Sequence, residues 1–234
     1  MLKVFHPEVL EEGSIIHLNG KEAHHLFHVL RANDGEKIII LNGQGHYAEG
    51  HIFDSKTQQV KIDSVHFMEK NKIMLCPSLL KNRAMDFLIR EATAIGVGKI
   101  IPLIAERSEV KINGQTAMEK QLHWNSIAKE ACKQSGNPHL PIIEMPQKLT
   151  HIKFPSTTFI AALRENAQNI FSHQSEIKNN PIAVLIGPEG DFSESEYQYF
   201  SQKNFHFIHL GKNILRSETA ALYLLSVIDH MGKY

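Results

Sequence analysis

The spacing of apolar positions along the chain changes character near residue 70. Before it, short apolar stretches are separated by turn residues. Ser14 to Leu18 alternates weakly, Glu36 to Gly43 is a β-branched run ending in a turn pair, and Gly45 to Phe53 and Gln59 to Asp63 continue the pattern. Each reads as a strand, because successive side chains on a pleated ribbon point to opposite faces. Lys21 to Leu30 has helical spacing instead and precedes the turn signal Asn33-Asp34-Gly35. Short strands with regular turns predict a small β-barrel over residues 1–72, closed off by the charged stretch Glu69 to Lys72.

From residue 73 strand-like and helix-like runs alternate. Ile73 to Leu75, Ile100 to Ile104, Thr158 to Leu163, Ile182 to Ile186 and Phe205 to Leu210 read as strands. The fourth is apolar throughout, as parallel strands covered on both faces are. Helices are expected over Met85 to Ala92, Ala117 to Gln134 with Gly136 as stop signal, Ser193 to Lys203, and Ser217 to Met231. Ser193 and Glu196 fit a capping box at the start of the third. The alternation predicts a parallel α/β domain over residues 73–234.

Composition adds boundaries more than content. The 234 residues are 42% hydrophobic and 21% charged, the balance of a soluble globular protein. No apolar run approaches the roughly 20 residues that span a bilayer, and the first residues lack the apolar core of a signal peptide. A cytoplasmic protein with no membrane partner is therefore expected. Cys76 and Cys132 stand far apart, so neither a disulfide nor a cysteine-based zinc site is expected. His24 and His28 can share a helix face, but no Glu-x-x-His or Cys-x-x-Cys accompanies them, and no metal is expected. Net charge is zero, unevenly spread: −3 over residues 1–70, +4 over 71–135 and −1 over 136–234. The basic middle makes Lys81 and Arg83 candidate phosphate contacts, although such an excess is also common on plain solvated surfaces.

Two glycine-containing loops carry the chemistry. Leu185-Ile186-Gly187-Pro188-Glu189-Gly190-Asp191-Phe192 follows one strand, and Leu210-Gly211-Lys212-Asn213-Ile214-Leu215-Arg216-Ser217-Glu218-Thr219-Ala220 follows another. Open α/β sheets bind ligands at the carboxyl ends of strands, against helix N-termini. Two such loops suggest one composite pocket. Taken alone, the first also reads as a tight β-to-α turn with Asp191 and Ser193 capping the helix. In the second, Ser217 reads equally as a helix N-cap, with Glu218 favoured by the helix dipole. Arg216 fits that end poorly, since a cation is disfavoured there; it wants an anionic or π partner. Ile214 and Leu215 are apolar loop residues suited to a flat ring.

The paired loops resemble those of the SPOUT methyltransferases and, within them, the RsmE family, which methylates N3 of one uridine in 16S rRNA. The likeness extends over nearly the whole chain: Lys3 to Pro7, His24 to Arg31, Arg83 to Val97, Trp124 to Gly136, Gly187 to Gly190 and Leu210 to Ala220. Some positions depart from the family pattern. Asp191 stands where glycine is usual, Asn213, Asn137 and Lys3 where arginine is usual, and Ser217 where threonine is usual; Ala94 replaces a common glutamate and Glu91 a common lysine.

The resemblance implies a trefoil-knotted α/β SPOUT domain with an N-terminal PUA-like barrel, acting as a homodimer on the small ribosomal subunit. It implies S-adenosylmethionine as cofactor, held by Leu163, Ile186, Gly187, Pro188, Glu189, Gly190, Leu210, Gly211, Ile214, Leu215, Ser217 and Ala220. Arg216 is the candidate for stabilising the uracil anion, with Arg31 as a second. Glu218 is a candidate base, or orients Arg216. Lys3, Arg31, Lys81 and Arg83 are candidate RNA contacts. Two other readings remain open: a related methyltransferase acting on a different RNA, and a non-catalytic RNA-binding or ribosome-assembly protein with the same fold.

Overall fold

Alternation in the first seventy residues buries one face of a five-stranded sheet. A computed structural model describes residues 1–233, with the backbone alone for Asn179. Strands β1 (Leu2–Phe5), β2 (Ile15–His17), β3 (Lys37–Leu41), β4 (His46–Asp54) and β5 (Gln59–Phe67) lie in the order β1-β3-β4-β5-β2. β1 runs parallel to β3, and the other pairings are antiparallel. In β4, Ala48, Gly50 and Ile52 point inward between outward-facing neighbours. The ladder with β5 shifts register beside Gly50. A Cβ at that glycine would run into the Lys61 carbonyl, so the close strand approach requires its absence.

Helix α1 (Gly20–Ala23) runs on into a π-helical stretch, His24–Val29, where Leu30 N donates to His25 O at 2.9 Å. The His24 and His28 rings sit 5.2 Å apart on its exposed side. This first unit comprises Met1–Lys70 together with Lys129–Leu140. The later segment joins it because Cys132 packs with Phe5 and Leu41 in a small core. Glu22 pairs with Lys129 at 3.2 Å and Lys133 at 3.4 Å. Lys3 donates its ammonium to the Gln134 carbonyl at 2.8 Å, which satisfies a helix C-terminus.

The second unit, Asn71–Ala128 with Pro141 onward, is built on a parallel sheet. Its elements are β6 (Ile73–Pro77), α2 (Asn82–Ile95), β7 (Lys99–Ile100), α3 (Gly114–Ser135, whose end counts with the first unit), β8 (Ile142–Ile143), β9 (Thr157–Ala161), α4 (Gln174–Asn179), β10 (Ile182–Ile186), α5 (Glu194–Gln202), β11 (His206–Ile208) and α6 (Ser217–Lys233). Strand order is β11-β9-β10-β6-β7-β8 and every pairing is parallel. Central β10 is buried at all five positions, which is why it reads as unbroken apolar sequence. α6 packs on α2 and on the sheet. The run Ile100 to Ile104 gives only the end of β7, because Pro102 cannot donate to a ladder; Leu103 makes isolated bridges to Ser78 and Gln147 instead. The capping box at Ser193 is formed in both directions.

Candidate active site

Three neighbouring parallel strands end level with one another. Ala161 at the end of β9 is in register with Ile186 of β10 and with Ile208 of β11. The chain leaving each strand therefore emerges at the same edge, and the three exits wall a cavity of about 510 Å³. Leu163 forms one wall, Ile186 to Glu189 the second, and Leu210, Gly211 and Ile214 to Ser217 the third, with Glu218 and Ala220 from the first turn of α6. Of the residues expected to hold a cofactor, Gly190 alone stands back from the cavity; its carbonyl accepts from the Arg107 guanidinium at 3.2 Å. Arg216 and Glu218 both line the space. Neither enters an ion pair or side-chain hydrogen bond among the described residues, so Glu218 does not orient Arg216 through a direct contact.

One hydrogen bond ties the two glycine loops together. Ser217 Oγ donates to the Gly187 carbonyl at 2.8 Å. Ser217 is the first residue of α6 rather than its cap, and its hydroxyl holds the loop of β10 against the loop of β11. Gly211 takes φ +110, a left-handed value that turns the chain sharply after β11. Beyond it the backbone bends without turn hydrogen bonds, and the amides of residues 212–215 have no backbone partners among the described residues.

Asp191 has φ +60, a left-handed value that glycine adopts with less strain. Its carboxylate offsets the strain by accepting from Phe192 N at 2.8 Å and from the Tyr197 hydroxyl at 2.9 Å. Burial, with Asp191 as acceptor, pushes the Tyr197 hydroxyl well above the usual tyrosine range, so it stays a donor.

Sequence reasoning missed part of the wall. Lys81, expected only as an RNA contact, lines the cavity and pairs with Glu109 at 3.0 Å. Ala84, Ala161, Ala162, Asp191 and Asn213 line it too. The signal for Ala161 and Ala162 was present in their position at the end of a buried strand, whereas Ala84 comes from the first turn of α2. Arg83 is exposed at the start of α2, and Arg31 is exposed with φ +53 in the first unit. Lys3 is engaged at Gln134, away from any free role.

The cavity fits S-adenosylmethionine. Its volume lies in the range of small-molecule sites, roughly 300–1,000 Å³. Leu163, Ile214 and Leu215 offer apolar surface for a purine, the loop amides offer donors for its edge, and Lys81 and Glu189 offer charges for an amino-acid group and hydroxyls.

A parallel sheet with a cavity of this kind at its strand ends defines a ligand-binding α/β domain, and the same chain carries a small β unit. The RNA methyltransferase domain family matches residues 68–229, and the RNA methyltransferase PUA domain family matches residues 18–63. The chain belongs to the RNA methyltransferase family. Among curated relatives, Ribosomal RNA small subunit methyltransferase E 2 of Borreliella burgdorferi is 33% identical, covering 91% of this chain and 89% of its own length. Ribosomal RNA small subunit methyltransferase E of Bacillus subtilis is 28% identical, covering 94% and 92%. Among solved structures, the Neisseria gonorrhoeae Ribosomal RNA small subunit methyltransferase E bound to S-adenosyl methionine superposes with a TM-score of 0.86 at 25% identity, covering 99% of this chain and 98% of its own. A Legionella pneumophila methyltransferase in complex with the same cofactor gives 0.86 at 28% identity, covering 98% and 97%.

Proposed function

We propose that this protein methylates N3 of one uridine in the 16S rRNA of the small ribosomal subunit, using S-adenosylmethionine. The observation that carries the reading is the cavity between the two glycine loops, joined by Ser217 and Gly187, with an unpaired guanidinium on its wall. S-adenosylmethionine supplies a methyl group on a sulfonium, a good leaving group, so alignment and exclusion of water decide the rate. Leu163, Ile214 and Leu215 would pack on the purine, and Lys81 and Glu189 would hold the amino-acid end. Uracil N3 carries a proton at neutral pH, and its loss spreads charge onto the ring carbonyl oxygens. Arg216 donates to those oxygens as the charge grows. With no ion pair joining them, Glu218 acts separately and takes the N3 proton.

Residues 1–72 serve as the PUA-like RNA-binding domain and residues 73–234 as the methyltransferase domain. Arg31 and Arg83, both exposed, contact RNA phosphates. The same reading includes a homodimer, a trefoil knot in the second domain and action in the cytoplasm. Among the described residues no helix is long and apolar enough to cross a membrane.

The test is transfer of labelled methyl groups to small subunits from a strain lacking the activity, followed by mapping of the modified base. One N3-methyluridine in 16S rRNA is the expected product. Cofactor binding without transfer to that RNA would refute the assignment. Arg216→Ala should lower turnover by at least about 100-fold with cofactor affinity within a few-fold of wild type.

A further inference from the structure

We infer that His173, Glu176 and His206 form a site for one divalent transition-metal ion of the zinc type, separate from the cavity. Their donor atoms lie within 4.8 Å of one another, in the only such group among the described residues. His173 precedes α4, Glu176 follows one turn later within α4, and His206 opens edge strand β11. His206 stands opposite Phe159, two residues before the register position where β9 and β11 approach the cavity.

The Gln168 contact bears on the His173 tautomer. His173 Nε2 lies 2.8 Å from Gln168 Oε1, so that nitrogen carries the hydrogen and donates. The Nδ1 lone pair then faces a Glu176 oxygen at 2.9 Å. Two electron pairs at that distance require a positive centre between them, either a proton or a metal cation. A third donor, on His206, favours the metal. His206 Nε2 lies 3.3 Å from the other Glu176 oxygen, and the two imidazole rings are 4.4 Å apart. Two separate protons would each satisfy one contact, whereas a single metal ion satisfies both at once. Two imidazoles and one carboxylate suit zinc and its neighbours. Bonds of about 2.1 Å set donors about 3.0–3.6 Å apart, close to the 2.9 Å and 3.3 Å at which the two histidine nitrogens already face Glu176. Gln168 supplies the outer hydrogen bond that fixes a metal-binding histidine's tautomer.

Placement gives the site a role. Gln168 N donates to Phe207 O at 2.7 Å, and His209 N donates back to Gln168 O at 3.1 Å. The segment after β9 is thus stitched to β11 by backbone bonds. A metal at His173, Glu176 and His206 would lock that stitch with side chains, and both stitched segments lead to walls of the cavity.

Zn²⁺ titration of the untagged, chelator-treated full chain by calorimetry, repeated with Co²⁺ and visible absorption, tests this inference independently of methyl transfer. We expect one ion per chain, four-coordinate Co²⁺ bands and a raised melting temperature. His206→Gln and His173→Gln should abolish all three, and Gln168→Ala should weaken binding about 10- to 100-fold. His24→Ala with His28→Ala should change nothing, which separates this site from that exposed pair. Circular dichroism reports whether each variant folds; if His173→Gln does not, the more exposed His206→Gln carries the test. Wild-type protein that binds no ion, or binding undiminished in folded His206→Gln, would overturn the inference and leave a proton between His173 and Glu176.

Discussion

Removing the Ser217 hydroxyl should loosen the cavity without unfolding the protein. Ser217 is buried, and its Oγ donates to the Gly187 carbonyl at 2.8 Å. Such a bond contributes about 0.5–1.5 kcal/mol net, and a carbonyl left unpaired in a dry site adds to the loss. A loss of about 1 kcal/mol shifts melting by roughly 2–4 °C in a chain of this size. If the bond's main effect is to hold the two loops at binding distance, the same energy appears in ligand affinity, about three- to tenfold. Ser217→Ala should therefore bind S-adenosylmethionine three- to tenfold more weakly by calorimetry and melt a few degrees lower. Ser217→Thr keeps the donor and should match wild type in both. Alanine and wild-type proteins with equal affinity and equal melting would refute the view that this bond joins the loops.

Three other outcomes follow from groups in the second unit and from the thiols. Asp191→Ala should destabilise more than Asp191→Gly, by about 1 kcal/mol, because both lose the Phe192 and Tyr197 bonds but only glycine relieves φ +60; equal denaturation midpoints would contradict this. Burial pushes the Cys132 thiol up to about 12 and Cys76 higher still, so iodoacetamide at pH 8 should label neither thiol in native protein and both in denaturant. Hydrogen bonds from Ser193 and Ser195 hold the Glu106 carboxyl below its ordinary value. That lowered value stabilises the fold above the unfolded carboxyl pKa of about 4.3 and is lost as pH falls through the folded value. Wild type should thus lose melting temperature from about pH 5 downward more steeply than Glu106→Gln; parallel curves would count against it.

What the sequence disclosed was local. β10 is five consecutive buried apolar residues, and the Ser193 box needs only residues three apart. The cavity was legible because glycine loops after strands are local features, and parallel register then brings them together. The meaning of Ser217 was not, since its partner Gly187 lies 30 residues away. Lys3 reads as a free cation until the structure sets Gln134 beside it. The return of Lys129–Leu140 to the first unit has no period to betray it; it depends on Cys132 meeting Phe5 and Leu41. β8, two residues long, and α4, six residues long, are shorter than any pattern that resolves a strand or helix.

The level ending of β9, β10 and β11 also governs when a ligand can first be recognised. The walls come from residues near 163, 187 and 211, and Ser217 follows them all. The three walls alone span about fifty residues, Lys81 and Ala84 line the cavity from much earlier in the chain, and its formation waits on non-local parallel pairing, a slow class of event in folding. An unfinished chain on the ribosome, with α6 still unmade, offers a ligand nothing to hold. Ligand binding therefore adds its free energy only to completed molecules, by RT ln(1 + [L]/Kd). A cell well supplied with that ligand would preserve finished copies and leave partly folded ones to proteolysis.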